Sequence, residues 1–190
     1  MATPLESRRI VIAGASSLLG AEIKTLLEES RFAASDFRLV DEETVSGILT
    51  EAGGEPAVIQ AVEEDSFNKA WIIFFTGTPA FTKRNFELAV RSGARIVDLS
   101  GEFAAHANSQ TWLAKFDAHS GAAPSNVSSA GETSLQLAAP HQDTSTPAAW
   151  WFWAAADNLR LPAANALKLA EQFLAEQLPA QKIDVPKIQE

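Results

Sequence analysis

Seven residues near the start of the chain have the types and spacing to hold a phosphate: Gly14-Ala15-Ser16-Ser17-Leu18-Leu19-Gly20. Gly14 lets the backbone turn where a Cβ would clash, and open N–H groups at the start of a following helix attract an anion. The usual dinucleotide fingerprint has a third glycine between the outer two. Ser17 stands in its place: its hydroxyl can donate to a phosphate, while its Cβ limits backbone approach. Gly14, Ser16, Ser17, Leu18 and Gly20 are therefore the candidates on the phosphate side, although the same turn also serves α/β folds that bind nothing. Asp41 and Glu42 follow roughly 20 residues after Gly20, where an acidic side chain hydrogen-bonds a ribose hydroxyl and repels a 2′-phosphate. That favours NAD over NADP, with Asp41 ahead of Glu42; the run Asp41-Glu42-Glu43 also fits a solvated acidic loop. Thr76, Gly77 and Thr78, and then Ser100, each follow an apolar run. Such turns lie at the carboxyl ends of strands, where open α/β sheets bind ligands, and also serve as plain connections.

No catalytic residue emerges. The chain has no cysteine and no tyrosine, which excludes disulfides, thiolate metal sites and a thiol nucleophile. A Ser-His-Asp nucleophile is disfavoured because there is no nucleophile elbow and His106, His119 and His141 fall in expected loops. The same histidines match no helical or strand face that would gather a metal, so no metal site is expected.

The elements that must position these residues read as strands alternating with helices. Ile10-Val11-Ile12-Ala13 is a short apolar run, as in a parallel strand covered on both faces. Leu19, Ile23, Leu26 and Leu27 recur at helical spacing, predicting a helix over residues 18–30. Further strands are expected at 37–40, at 71–75 as the central strand, and at 94–99. A strand pair at 45–50 and 57–62 is joined by Gly53-Gly54-Glu55-Pro56, and residues 63–67 form a helical turn or a loop. A helix over 80–91 has Phe86, Ala89 and Val90 as its inner face and ends at Ser92-Gly93. The predicted fold class is α/β, a Rossmann-like doubly wound, mostly parallel sheet.

Regularity weakens after Phe103. Residues 112–116 suit a helical turn and 134–138 a short strand, with loops at 120–131 and 140–147. The aromatic run Trp150-Trp151-Phe152-Trp153 is β-prone. Such a cluster is most often core, and if exposed it marks an interface for a homodimer or partner domain through Trp150, Trp151 and Trp153. Residues 157–161 suit another strand. Pro162 then opens a helix with Ala163, Leu167, Ala170, Leu174 and Leu178 along one stripe. The expected organisation is a dinucleotide-binding core at 1–104 and an irregular segment at 105–149. A strand and helix at 150–178 complete the first domain or face a second one, and 179–190 is a tail.

A net charge of −9, from 15 basic and 24 acidic residues, argues against nucleic acid and anionic membrane surfaces as partners. The first residues lack the basic-then-apolar pattern of a signal peptide and no apolar run is long enough to span a bilayer, so a cytoplasmic location is expected.

Read together, these segments resemble the cofactor-binding domain of the aspartate-semialdehyde dehydrogenase family, a plan shared with N-acetyl-glutamyl-phosphate reductase. The resemblance rests on Ile10-Val11-Ile12-Ala13-Gly14-Ala15, Phe37-Arg38-Leu39-Val40, Glu64-Asp65-Ser66-Phe67 and Phe74-Phe75-Thr76-Gly77-Thr78. It continues through Ala89-Val90-Arg91-Ser92-Gly93-Ala94 and Ile96-Val97-Asp98-Leu99-Ser100-Gly101-Glu102-Phe103. It covers residues 8–104, with a fainter match at 159–174. It implies an oxidoreductase of amino-acid biosynthesis that binds NADP or NAD. Such enzymes reduce an acyl phosphate to a semialdehyde through a thioester on a cysteine, with a histidine base from a second domain that also dimerises. It also implies nicotinamide binding by Gly14, Ser16, Ser17, Leu18 and Gly20, with Thr76, Gly77 and Ser100 on the same rim.

The departures bear on activity. The family cysteine is expected near Leu161, Pro162 and Ala163, and no cysteine stands elsewhere. The residue after Phe103 is Ala104 rather than a substrate-binding arginine, and Glu42 and Thr44 replace the serine and arginine that favour a 2′-phosphate. The second domain would begin where this sequence ends. The expectation is thus a nicotinamide-binding domain without competence for the covalent step on its own. The alternative is a non-catalytic interaction or regulatory protein that kept the fold without the cofactor, and a third reading is direct hydride transfer with no covalent intermediate.

Overall fold

The computed structural model describes residues 8–115, 118–120 and 124–176. β1 (Arg9–Ala13) is the middle strand of a five-stranded sheet, and Ile10 to Ala13 are fully buried because both its faces are covered. α1 (Leu18–Glu28) returns along one face with Ile23, Leu26 and Leu27 turned inward. β2 (Asp36–Asp41) follows, then a 3-10 turn at Glu43–Val45. Next come β3 (Leu49–Ala52), β4 (Glu55–Val58) and the two-residue β5 (Gln60–Ala61). β6 (Ala70–Phe75), α2 (Pro79–Arg91) and β7 (Arg95–Asp98) complete the sheet. Its order is β5-β2-β1-β6-β7, with every neighbouring pair parallel. The chain therefore reverses its direction of travel at β1, and the crevice between the β1 and β6 ends is the usual ligand position of such a sheet.

The strands' alternation sorts their side chains into two apolar layers. Ile10, Ile12, Ile72 and Phe74 face α1 and, from the end of the chain, Ala163, Ala166 and Ala170. Val11, Ala13, Ile73 and Phe75 face Phe81 and Ala89 of α2. At about 1.5–3 kcal/mol for each large side chain removed from water, these two layers supply the main stabilisation of the sheet.

The second half is more regular than its composition suggests. β8 (Ala118–Ser120), α3 (Asn126–Ser129) and β9 (Leu135–Leu137) lead to β10 (His141–Gln142), β11 (Trp150–Trp151) and β12 (Ala154–Ala155). These strands form a three-stranded sheet, β12-β9-β8, and a separate β10–β11 hairpin. α4 (Arg160–Glu176) then packs on α1. Alanines at 163, 166 and 170 let the two helices approach closely.

Several expectations need correction. β6, the 71–75 run, is not the central strand; β1 is, and β6 lies beside it. The strand pair is shorter than expected, Leu49–Ala52 against Glu55–Val58, while Gln60–Ala61 joins β2 instead. On α2 the buried residues are Phe81, Thr82 and Ala89; Phe86 is half-buried against Phe103, with ring centroids 4.0 Å apart. α1 ends at Glu28, where Glu29 and Ser30 cap it. Residues 112–115 form no helical turn, and Phe116 lies outside the described residues. No strand runs over 157–161: Asp157 instead accepts the N–H groups of Leu159 and Arg160 at 2.8 Å each, and so opens α4. The Arg160 N–H first, then those of Gly131 and Leu159, hold the Asp157 carboxyl below its ordinary pKa. Leu178 lies outside the described residues.

The core reading of the tryptophan cluster is also overturned. Trp150, Trp151, Phe152 and Trp153 are 59–64% exposed. β11, with Trp150 and Trp151, and the two residues after it belong to neither core layer. Two of the indoles still satisfy their N–H groups, Trp151 on Asp143 at 2.7 Å and Trp153 on the Pro124 carbonyl at 2.9 Å. Among the described residues no helix is long and apolar enough to cross a membrane, and no three or more His, Cys, Asp or Glu side chains gather as metal ligands would.

Candidate functional site

The loop between β1 and α1 and the loop between β6 and α2 cross at the carboxyl rim of the sheet, and glycine makes the crossing possible. Gly14 adopts φ +93°, and a Cβ there would lie 2.2 Å from the Gly77 nitrogen. A Cβ on Gly20 would lie 2.6 Å from the Gly14 carbonyl oxygen, and one on Gly77 would lie 2.9 Å from the Phe81 ring. The three glycines thus form one close contact between backbones.

Polar side chains tie this crossing together from within. Thr76 is buried; its N–H donates to the Ala13 carbonyl at 2.8 Å and its hydroxyl to the Gly14 carbonyl at 2.9 Å. Ser17 is the N-cap of α1: its hydroxyl accepts from the Gly20 N–H at 2.9 Å and donates to the Thr76 carbonyl at 2.9 Å. That proton, expected to be available to a phosphate, is spent on the neighbouring loop. Asp41 is buried, and both its oxygens serve backbone donors, one the Ser16 N–H and the other the Glu42 N–H, each at 2.8 Å. The carboxylate anticipated at a ribose is therefore also a strut under the glycine loop.

What remains open is specific. Neither the Leu18 nor the Leu19 N–H makes a hydrogen bond among the described residues, and the Ser16 hydroxyl is exposed and makes none there either. These are the donors that the start of α1, with its positive end of the helix dipole, turns toward the rim. The Leu18 side chain is 75% exposed beside them.

The rest of the rim is pinned by short local motifs. Thr78 is exposed and caps α2, accepting from the Phe81 N–H at 3.2 Å. Ser100 bonds Asp98 twice, through its N–H at 2.8 Å and its hydroxyl at 2.6 Å, while the other Asp98 oxygen takes the Phe103 N–H at 3.0 Å. Glu42 forms an ion pair with Arg84 of α2. The structure therefore gathers Gly14, Ser16, Ser17, Leu18, Gly20, Thr76 and Gly77 at one crossing. Asp41 lies beneath it, Glu42 at the end of β2, and Thr78 and Ser100 on the rim after β6 and β7.

Two contributors were not singled out in the sequence. Asp98 carried a readable signal, since Asp-x-Ser-Gly after a strand is a turn in which a carboxylate collects backbone N–H groups. Arg84 carried none: its partner is 42 residues away. The expected thiolate positions also have a location. Arg160, just before Leu161, donates to Glu22 in the second turn of α1 at 2.7 Å and approaches Glu29, just past the end of α1, at 3.8 Å, so the start of α4 lies alongside α1.

A doubly wound parallel sheet with a glycine crossing at its switch point defines a Rossmann-like α/β domain. The family model described as "Semialdehyde dehydrogenase, NAD binding domain" matches residues 9–123, and the chain belongs to that family. Among curated relatives, the USG-1 protein homolog of Azotobacter vinelandii is 29% identical over 92 residues, 48% of this chain and 27% of that protein. The aspartate-semialdehyde dehydrogenase of a Synechocystis strain is 30% identical over 95 residues, 50% of this chain and 28% of that protein. The chain thus matches little more than a quarter of the length of these relatives. Two solved structures share the fold: a probable aspartate-semialdehyde dehydrogenase from Pseudomonas aeruginosa, and aspartate semialdehyde dehydrogenase II from Vibrio cholerae. The first has a TM-score of 0.73 at 11% identity, covering 90% of this chain and 100% of that one. The second has a TM-score of 0.75 at 12% identity, covering 90% and 99%.

Proposed function

We propose that the chain binds a nicotinamide dinucleotide at this rim, NAD in preference to NADP, and that it does not carry out covalent aldehyde or acyl-phosphate chemistry on its own. The observation that carries the reading is the glycine crossing, which packs the two loops backbone to backbone at the rim while the Leu18 and Leu19 N–H groups and the Ser16 hydroxyl stay open. The pyrophosphate takes those three donors. Gly14, Gly20 and Gly77 let the two loops close on one another beside it, and Ser17 and Thr76 hold those loops in place. Asp41 and Glu42 stand on the ribose side, and Thr78 and Ser100 line the rim toward the nicotinamide end. Bound there, the cofactor would supply a hydride acceptor or donor.

The second part of the reading rests on the absence of any thiol. The thioester route of aspartate-semialdehyde dehydrogenases needs a thiolate, and neither 161–163 nor any other position supplies one. The rival reading, a binding or regulatory protein without cofactor, draws on one observation. Asp41 and Ser17 already satisfy the Ser16 and Gly20 N–H groups, so fewer donors remain than an all-glycine loop would offer. Titration of the protein with NADH, followed by calorimetry and by energy transfer from tryptophan, separates the two. Saturable binding in the micromolar range supports the cofactor reading, and no binding at millimolar concentration leaves the rival.

A further inference from the structure

β1 lies between β2 and β6, so a contact from the residue after β2 to the helix after β6 passes over the carboxyl end of β1. Glu42 and Arg84 make such a contact: the Glu42 carboxylate accepts from the Arg84 guanidinium. Their side chains are 43% and 57% exposed. An ion pair this exposed contributes little to stability and exchanges readily with other partners.

The surrounding charges leave this pair a distinct role. Asp41 spends both oxygens on backbone N–H groups beneath the loop, so Glu42 is the carboxylate next to the strand end that reaches across to α2. Lys83, the neighbouring cation on α2, turns to Glu102 at 3.9 Å. Arg84 is thus the cation that reaches the end of β2, where a doubly wound sheet places the adenosine ribose. A guanidinium fork there fits a 2′-phosphate, and Glu42 occupies that fork.

Resting on the dinucleotide reading above, we infer that Arg84 is a cofactor-selectivity residue held silent by Glu42. With the pair closed, the rim offers a ribose diol a carboxylate and offers a 2′-phosphate no free cation. NADPH must displace Glu42 from Arg84 and then lie beside its charge, whereas NADH need not. Removing the Glu42 charge frees the guanidinium and turns the preference toward the phosphorylated cofactor.

The test is direct titration of NADH and NADPH, read by tryptophan energy transfer, on the wild-type protein and on the Glu42→Gln, Arg84→Ala and doubly substituted proteins. Glu42→Gln is expected to tighten NADPH binding at least tenfold relative to NADH. The double variant is expected to lose that gain. A ratio for Glu42→Gln within twofold of wild type overturns the inference, as does a gain that survives in the double variant. If none of the four proteins binds either cofactor at millimolar concentration, the dinucleotide reading falls and the inference with it. If the cofactors bind but the ratio is unmoved, only the inference falls.

Discussion

Gly14 answers to two constraints that separate experimentally. Its φ of +93° lies where a side chain is strained, and its Cα faces Gly77 so closely that an added Cβ would lie 2.5 Å from the Gly77 Cα. Gly54 has a similar φ of +80° with nothing within 4 Å of an added Cβ. Gly54→Ala should therefore cost only the backbone strain, about 1 kcal/mol. Gly14→Ala adds an overpacked contact between two backbones and should cost about 3 kcal/mol or more. Urea denaturation of the two variants beside the wild type reads the difference, and equal losses would mean that the crossing relaxes freely. The role of Gly14 was legible in the sequence because a glycine directly after a buried apolar run, just ahead of a helix start, marks a turn that a Cβ would block. The roles of Ser17 and Asp41 were legible only in part. Their positions pointed to the site, but a serine hydroxyl can cap a helix or meet a phosphate, and a carboxylate can face a ribose or a buried N–H. Only the packing of a second loop, 59 residues away at Thr76, directs the Ser17 proton.

Among the elements, the strands and helices of the five-stranded sheet were readable because burial on both faces forces continuous apolar runs, and α1 and α2 carry their own caps. The segment after Phe103 was readable only in part: the strand expected at 134–138 and the helix opened by Pro162 stand as β9 and α4, but the remaining strands are two or three residues long and carry no periodicity of their own. The β10–β11 hairpin shows what holds such an element instead. Asp143 accepts from the Ser145 hydroxyl at 2.5 Å, the Trp151 indole at 2.7 Å, and the backbone N–H groups of Ser145 and Thr146. The Ser145 hydroxyl first, then the indole and the two backbone donors, lower its pKa from 3.8 to about 2. A carboxyl depressed in the folded state stabilises it fully above the unfolded value, and that contribution is lost as pH falls through the folded value. The hairpin should therefore keep its Trp151–Asp143 bond through pH 4 and release it as pH approaches 2. The Trp151 indole N–H resonance, followed from pH 5 downward, should shift with a midpoint near 2, and the shift should be missing in Asp143→Asn. A midpoint near 4 would mean that the hairpin is open in solution.

For the whole molecule, the family relation and the absence of a thiol pull in different directions, and the placement of α4 bears on both. The resemblance implies a nucleophile near 161–163, which reads as though one substitution separates this chain from a thioester enzyme. At 163 the fold argues otherwise. Ala163 is fully buried in the apolar layer shared with α1 and β1, and Arg160, three residues earlier, is tied to Glu22 in the second turn of α1 and to Glu29 just past its end. A cysteine at 163 would meet apolar side chains rather than the rim. Burial disfavours the thiolate, the only form that attacks a carbonyl, so its pKa would rise. Ala163→Cys should therefore yield a folded protein whose single thiol resists an aromatic disulfide reagent under native conditions and reacts on unfolding. Absorbance of the released thiolate checks this directly. The same variant, given NAD, phosphate and an aldehyde, should form no more NADH than the wild type, because a thiol at this position stays buried in the apolar layer. Rapid native labelling together with turnover would show that α4 moves its first turn to the mouth of the sheet, and would restore the simpler view of a dehydrogenase lacking one atom of sulfur.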